Sequence, residues 1–237
     1  MHGMREEKPD QQPVTWGVLG ASHFALMAAI PAMQQAPLVS VRALASRSLD
    51  KARQAADGVG VPRAYGSYEE LLADPEIEAI YNPLPNNMHV PWSIKAARAG
   101  KHVLCEKPIA MNAAEAEELA KVQRETGKLI AEGFMVKYHP QWELVVQAIQ
   151  SGRIGEVRAV QVAFSYTNTD LGNIRNQKEV GGGALYDIGG YAISAARLAF
   201  GTEPKRVVGV CALDPKSGCD ALSSAILDFG TGQASFV

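Results

Sequence analysis

Three side chains have the types and spacing for proton chemistry on a hydroxyl or carbonyl. Lys107 stands in Glu106-Lys107-Pro108, directly after the apolar run 102–105. A lysine at a strand end, near a phosphate or a substrate hydroxyl, can have its proton affinity lowered and polarise an oxygen. Asp187 and Tyr191 lie four apart in the run GGGALYDIGGY (181–191). On a helix that spacing gives them one face, and an acid beside a phenol can relay a proton to a carbonyl. Each has a plain alternative. Glu-Lys-Pro reads equally as a surface turn, and Tyr191 as a half-buried phenol on a glycine-packed helix start.

A second group of residues is suited to a phosphate. The apolar run 14–19 leads into Gly20-Ala21-Ser22-His23-Phe24-Ala25. Against the dinucleotide pattern G-x-G-x-x-G/A, Gly20 and Ala25 fit the first and last positions, and Ser22 replaces the middle glycine. Such a turn aims backbone N–H groups from a helix N-terminus, where pyrophosphate charge is favoured. An ordinary strand-to-helix turn is the other reading. The next strand ends Ala45-Ser46-Arg47, and no acid follows until Asp50. An acid there would take ribose hydroxyls, whereas Arg47, with Ser46 donating, suits a 2′-phosphate and so NADP over NAD. Arg47 as a solvated surface charge stays open. In Tyr81-Asn82-Pro83-Leu84-Pro85-Asn86-Asn87-Met88-His89, two prolines force an irregular crossing at a sheet's carboxyl edge. Ligands bind at such edges in doubly wound folds, which makes Leu84, Pro85, Asn86 and His89 cofactor candidates.

The elements that must position these residues follow from the apolar pattern. Strands are expected at 14–19, 39–45, 78–81, 102–105 and 129–135. Between them fall helices at 24–34 (interrupted by Pro31), 48–57 (ended by Gly58 and Gly60), 67–72, 89–99 and 112–126. Ser67 with Glu70 forms a capping box, and Gly100 stands where a helix closes. Strands alternating with helices predict a parallel, doubly wound sheet over 14–135. After 136 the pattern changes. A helix at 141–151, a long strand at 156–166, a polar loop at 167–179 and a helix at 185–200 precede strands at 206–213, 223–229 and 233–237. That order predicts a second, α+β domain on a mostly antiparallel sheet. Residues 1–13 read as a disordered tail. The chain ends inside its last strand, which reads as a piece of a longer protein.

Composition narrows the function further. The 237 residues are 47% hydrophobic and 20% charged, ordinary for a globular protein. With 23 Lys+Arg against 25 Asp+Glu, the net charge of −2 offers no basic excess for a phosphate backbone, so nucleic acid is not expected as a partner. No membrane span is expected, because the longest apolar stretch, 24–33, falls short of the ~20 residues a span needs. The odd cysteine count (Cys105, Cys211, Cys219) and the polar start predict a reducing, cytoplasmic setting. His2, His23, His89, His102 and His139 lack metal-ligand spacing, so no metal is expected.

Five segments together resemble the Gfo/Idh/MocA oxidoreductases: WGVLGASHFA (16–25), ALASRSLDKA (43–52), AIYNPLPNNMH (79–89), AGKHVLCEKPIAMNAAEA (99–116) and GGGALYDIGGY (181–191). They stand in that family's order and spacing. The resemblance implies a Rossmann domain followed by an open-faced sheet domain. It makes Lys107 the active-site lysine near the nicotinamide, with Glu106 beside it. Tyr191, where many members have His, is similar to the branch of glucose–fructose oxidoreductase, NADP-dependent xylose dehydrogenases and dimeric dihydrodiol dehydrogenases. In that branch the Tyr is the expected acid/base, tuned by Lys107, while Asp187 helps place the substrate. Asn173-Ile174-Arg175 matches a segment that reaches cofactor and substrate, which makes Arg175 a binding candidate. The implied protein is an NADP-dependent oxidoreductase of a sugar or polyol, with NAD as the lesser option, and a homo-oligomer through the second sheet where that sheet is complete. The competing expectation is a non-catalytic dinucleotide-binding regulator, or an inactive fragment of the family.

Overall fold

The computed structural model describes residues 12–237; most of the tail expected over 1–13 lies outside the described residues. Two compact units divide the chain. One holds residues up to Leu84, His89–Glu106 and Ala114–Ala131, and the other holds Pro85–Met88, Lys107–Ala113 and Glu132–Val237.

The first unit is the parallel sheet. Its strands are β1 (Val14–Leu19), β2 (Val39–Ala45), β3 (Arg63–Tyr65), β4 (Ala79–Asn82), β5 (His102–Glu106) and β6 (Ile130–Gly133), in the order β3-β2-β1-β4-β5-β6. β1 pairs in parallel with β2 on one side and β4 on the other. The order therefore reverses between β1 and β4, and in open α/β sheets ligands bind beyond the carboxyl ends at that point. Central strands covered on both faces read as near-continuous apolar runs. Accordingly β4 is buried at every position, and Val18, Leu19, Leu44 and Ile80 are fully buried. Gly17 is required by packing, since a Cβ there would lie 2.6 Å from a Leu71 methyl.

Helices α1 (Ile30–Gln35), α2 (Leu49–Val59), α3 (Tyr68–Ala73), α4 (Asn86–Arg98) and α5 (Ala113–Thr126) link these strands. Pro31 does not interrupt the first of them. A π-helical turn, Ala25–Ala29, precedes α1, and Ile30 N–H donates five residues back to Ala25. Pro31 then falls in the first turn of the α-register, where a missing N–H is tolerated. α2 continues through Gly58 and ends at left-handed Gly60. α4 starts three residues earlier than expected, at Asn86. The edge strand β3 carries too few residues to show a period of two.

The second unit contains α6 (Pro140–Gln150), β7 (Ala159–Val162), α7 (Gly190–Phe200), β8 (Arg206–Leu213), β9 (Asp220–Asp228) and β10 (Gln233–Phe236). Its sheet runs β7-β10-β9-β8, antiparallel at β8–β9 and β9–β10 and parallel at β10–β7. Ala196, Leu227, Phe229 and Ala234 form its core, with Phe200 stacked on Phe229 at 4.3 Å. The long strand expected over 156–166 is reduced to four residues, because its ladder with β10 covers only 159–162. Another π-helical turn, Leu185–Gly189, precedes α7.

Candidate functional site

In the first unit, the turn after β1 is built from backbone. Gly20 has φ +83°, and its N–H donates to Ala45 O at 2.7 Å, tying the ends of β1 and β2. A Cβ on Gly20 would stand 2.9 Å from a Leu84 methyl. Ser22 caps the following helix: its Oγ accepts from Ala25 N at 3.2 Å and its carbonyl from Leu26 N at 3.0 Å. Ala21 is half-buried, while His23 and Phe24 are exposed on the first helical turn. At the end of β2, Ser46 N–H donates to Tyr65 O and Arg47 is exposed. Tyr68 is a neighbour that the sequence reading passed over. Its hydroxyl lies 3.7 Å from where a Gly20 Cβ would stand. Burial pushes its pKa up, against the nearby charge of Arg47.

The crossing after β4 is held by buried polar groups. Asn82 Nδ2 donates to His89 O at 3.0 Å and to Ser93 Oγ at 3.2 Å. The His89 ring nitrogen Nε2 lies 2.7 Å from Leu84 O, so its N–H donates there. His89 is 1% exposed and fixes the Leu84 turn from inside the protein. Glu106, the last residue of β5, accepts from the buried Tyr81 hydroxyl at 2.8 Å. Burial, then the Glu106 charge, push that phenol well above its ordinary range.

The second unit gathers the charged candidates around one carboxylate. Lys107 Nζ donates to Asp187 O at 2.6 Å and to Asp187 Oδ1 at 3.2 Å. Arg175 Nε donates to the same Oδ1 at 3.0 Å, and the Tyr166 hydroxyl donates to Oδ2. Burial would push the Asp187 carboxyl up, but the Tyr166 hydroxyl and the charges of Lys107 and Arg175 outweigh it and hold it below the ordinary aspartate range. Tyr191 packs its ring against Phe134 and Phe164, with centroids 5.1 and 5.5 Å away. Lys107 Nζ stands 5.3 Å from that ring's centroid. Asp187 and Tyr191 thus converge on one lysine, as their spacing of four allows.

The glycine run 181–183 locates this cluster. Gly182 and Gly183 N–H donate to Gln177 O and Arg175 O at 2.9 and 2.8 Å, so the strap carrying Arg175 lies flush against them. A Cβ on Gly182 would be 2.7 Å from Arg175 O. Gly183 has φ +126°, and Asp220 fills the space beside it, accepting from Leu185 N at 2.7 Å. Asn86 Nδ2 donates to Gly181 O at 2.8 Å, while Pro85 belongs to this unit only as the residue before α4. Tyr166, Arg175 and Asp187 also line a cavity of about 420 Å³. Tyr166 and Asp220 escaped the sequence reading. Their partners lie 21 and 35 residues away, and neither stands in a recognisable motif. Among the described residues, no three His, Cys, Asp or Glu side chains are grouped to hold a metal, and no helix is long and apolar enough to cross a membrane.

A six-stranded parallel sheet in doubly wound order, followed by a mixed-sheet unit with a Lys–Asp–Tyr cluster, defines a two-unit α/β class of fold. The chain belongs to the Gfo/Idh/MocA family. Residues 14–134 match its oxidoreductase, NAD-binding Rossmann fold model, and residues 142–237 match its C-terminal domain model. An uncharacterized oxidoreductase, ORF334 of Rhizobium meliloti, is 51% identical over 93% of this chain and 66% of its own length. A D-xylose 1-dehydrogenase (NADP(+)) of Haloferax volcanii is 38% identical over 94% of this chain and 68% of its own. Among solved structures, KijD10, a 3-ketoreductase from Actinomadura kijaniata in complex with NADP and TDP-benzene, superposes with a TM-score of 0.89. It is 37% identical over 95% of this chain and 69% of its own. The chain therefore spans about two thirds of the length of these relatives.

Proposed function

We propose that this protein is an NADP-dependent oxidoreductase moving a hydride between the nicotinamide and a carbinol or carbonyl carbon of a sugar or polyol. The observation that carries the reading is the cluster in which Lys107 pairs with Asp187 and stands 5.3 Å from the Tyr191 ring. A dinucleotide needs a tight turn, close backbone approach and helix N-terminal amides for its pyrophosphate. Left-handed Gly20, the Ser22 cap and the helical start at His23 meet those needs. Ser46 and exposed Arg47 suit a 2′-phosphate. The kinship with an NADP-using xylose dehydrogenase and an NADP-bound ketoreductase supports the same cofactor and a sugar-like substrate.

When bound, NADP(H) supplies or accepts the hydride. The chain's own residues handle the proton. Tyr191 donates to the alkoxide that develops during reduction and takes the proton back during oxidation. The ammonium of Lys107 beside the ring favours the phenolate and so eases that transfer. Asp187 has both oxygens hydrogen-bonded, so its part is to hold Lys107 and Arg175 in place.

The test compares Lys107→Ala and Tyr191→Phe with the unaltered chain. Turnover is measured on a panel of aldoses and polyols, and NADPH affinity by quenching of intrinsic fluorescence. Loss of a general acid/base is expected to lower kcat by about 10²–10⁴-fold, with NADPH still bound. Unchanged rates in both variants would overturn the reading. Binding of NADPH with no turnover on any substrate would favour a nucleotide-sensing role instead.

A further inference from the structure

Tyr166 is an unassigned member of the Lys107 cluster. It lies four residues past β7 in a segment without regular structure, with its ring half exposed to the cavity. Its hydroxyl nevertheless reaches Asp187, whose side chain is only 14% exposed. The bonds divide unevenly over the carboxylate: Lys107 and Arg175 share Oδ1, and Tyr166 holds Oδ2. Burial and then the hydrogen bond to Asp187 push the Tyr166 pKa up to about 12, so it remains a donor at neutral pH.

We propose that Tyr166 is a positioning residue: through Oδ2 of Asp187 it fixes the carboxylate and lowers the proton affinity of Lys107. A hydroxyl donating to one carboxylate oxygen draws negative charge toward itself and weakens what the other oxygen offers a cation. Without it, the same carboxylate binds the Lys107 ammonium more tightly and the lysine gives up its proton at higher pH. The Tyr191 ring and, across Oδ1, Arg175 also stand at Lys107, and neither is bonded to Oδ2 in the bonds described. This inference rests on the reading of Lys107 as the active-site lysine only for its functional meaning; the physical effect stands apart from it.

The experiment is competitive labelling of the full chain with acetic anhydride across pH, each lysine quantified by mass spectrometry, with neither cofactor nor substrate present. Accessibility changes the plateau of such a curve, whereas proton affinity moves its midpoint. Tyr166→Phe deletes the hydroxyl from a half-exposed ring, so folding is expected to survive. Its Lys107 midpoint is expected to rise by about half to one pH unit, seen below the midpoint as labelling about 3- to 10-fold slower, as loss of one hydrogen bond to a charged group implies. Lys51 and Lys121, on α2 and α5, should not move. A second comparison keeps the test decisive. In an Asp187→Asn background, adding Tyr166→Phe should leave Lys107 unmoved, since the effect travels through the carboxylate. A midpoint that stays or falls in the first comparison, or that rises equally in the second, overturns the proposal. In turnover, the pH dependence of kcat should shift by the same amount. If labelling shifts and no turnover exists, the oxidoreductase reading fails while the coupling stands.

Discussion

The molecule uses a glycine turn twice to open a helix, and does so by different means. After β1, left-handed Gly20 leads into a helix that passes through the π-helical turn Ala25–Ala29. Before α7, Gly181 and Gly183, also at positive φ, lead into the π-helical turn Leu185–Gly189. The first turn is made of backbone amides and one serine cap, and a Cβ added at Gly20 would meet the Leu84 methyl first. The second is closed by the Asp220 carboxylate and lies beside the Lys107–Asp187–Arg175–Tyr166 cluster. A backbone site tolerates changes of side chain and offers fixed dipoles to an anion. An ionic cluster depends on each member, because removing one partner leaves the others desolvated and unpaired.

That contrast predicts unequal costs for the same added methyl. An alanine Cβ at Gly183 would lie 2.0 Å from Asp220 Oδ1, at a φ suited to glycine alone. Backbone strain and displacement of the Asp220 cap together are expected to cost about 3 kcal/mol in urea unfolding. The Lys107 cluster should loosen with it, because Asp187 N–H is bonded to Gly183 O. Gly20→Ala meets only a methyl that can turn aside, so the cost should be about 1–2 kcal/mol from the left-handed backbone. If the turn holds the pyrophosphate as proposed, NADPH affinity rather than stability is expected to show the larger loss, read by fluorescence titration. Equal destabilisation by the two variants would erase the distinction between the turns.

The difference also decides what could be read from the sequence. The Gly20 turn and the alternation of β1–β6 with their helices follow from local patterns, since glycine spacing and apolar periodicity report backbone directly. The shared face of Asp187 and Tyr191 follows from their spacing of four, and the nearness of Lys107 to Tyr191 is what the family resemblance implies. The bonds that join Lys107 and Arg175 to one oxygen of Asp187 are not written in any spacing. The pairing of Tyr166 with Asp187 depends on how an irregular segment returns to a helix, and no spacing rule encodes that. His89 sits in a motif at the sheet's carboxyl edge. Only the bond from its Nε2 to Leu84 O, together with its burial, reveals that its ring is turned inward. β3 and the true length of β7 were hidden for a related reason: strand extent is set by the partner strand, as the register of β10 on 159–162 shows.

Ser22 gives a smaller test of the backbone turn. Its Oγ accepts from Ala25 N, so Ser22→Ala removes a helix cap and is expected to cost about 1 kcal/mol. Ser22→Gly should cost only a few tenths, because glycine is a fair cap. If the turn binds pyrophosphate chiefly through backbone, Ser22→Gly should retain NADPH affinity. A large loss there would mean that the hydroxyl itself contacts the ligand and that the two turns are less different than they look.

The smallest expected effect is a pH dependence carried by the ionic cluster alone. Asp187 is held below the ordinary aspartate range, so its folded form binds a proton less readily than the unfolded chain does. Its stabilisation is therefore complete above the unfolded value of about 3.9 and is lost as pH falls below it through the folded value. Glu78, bonded by Thr15 N and Oγ, and Asp74, bonded by Tyr65 and Arg63, behave in the same sense in the first unit, so acid weakens the whole chain. Asp187→Asn isolates one contribution. It should be less stable than the unaltered chain at pH 6, and the gap in urea midpoint should narrow between pH 4 and pH 2 as the native carboxylate is protonated. Tyr166→Phe should shift that narrowing to higher pH, because Asp187 then loses a donor that keeps it ionised. A gap that stays constant through this range would mean that Asp187 is not titrating there, and that the cluster is held by the bond from Lys107 to the Asp187 carbonyl rather than by charge.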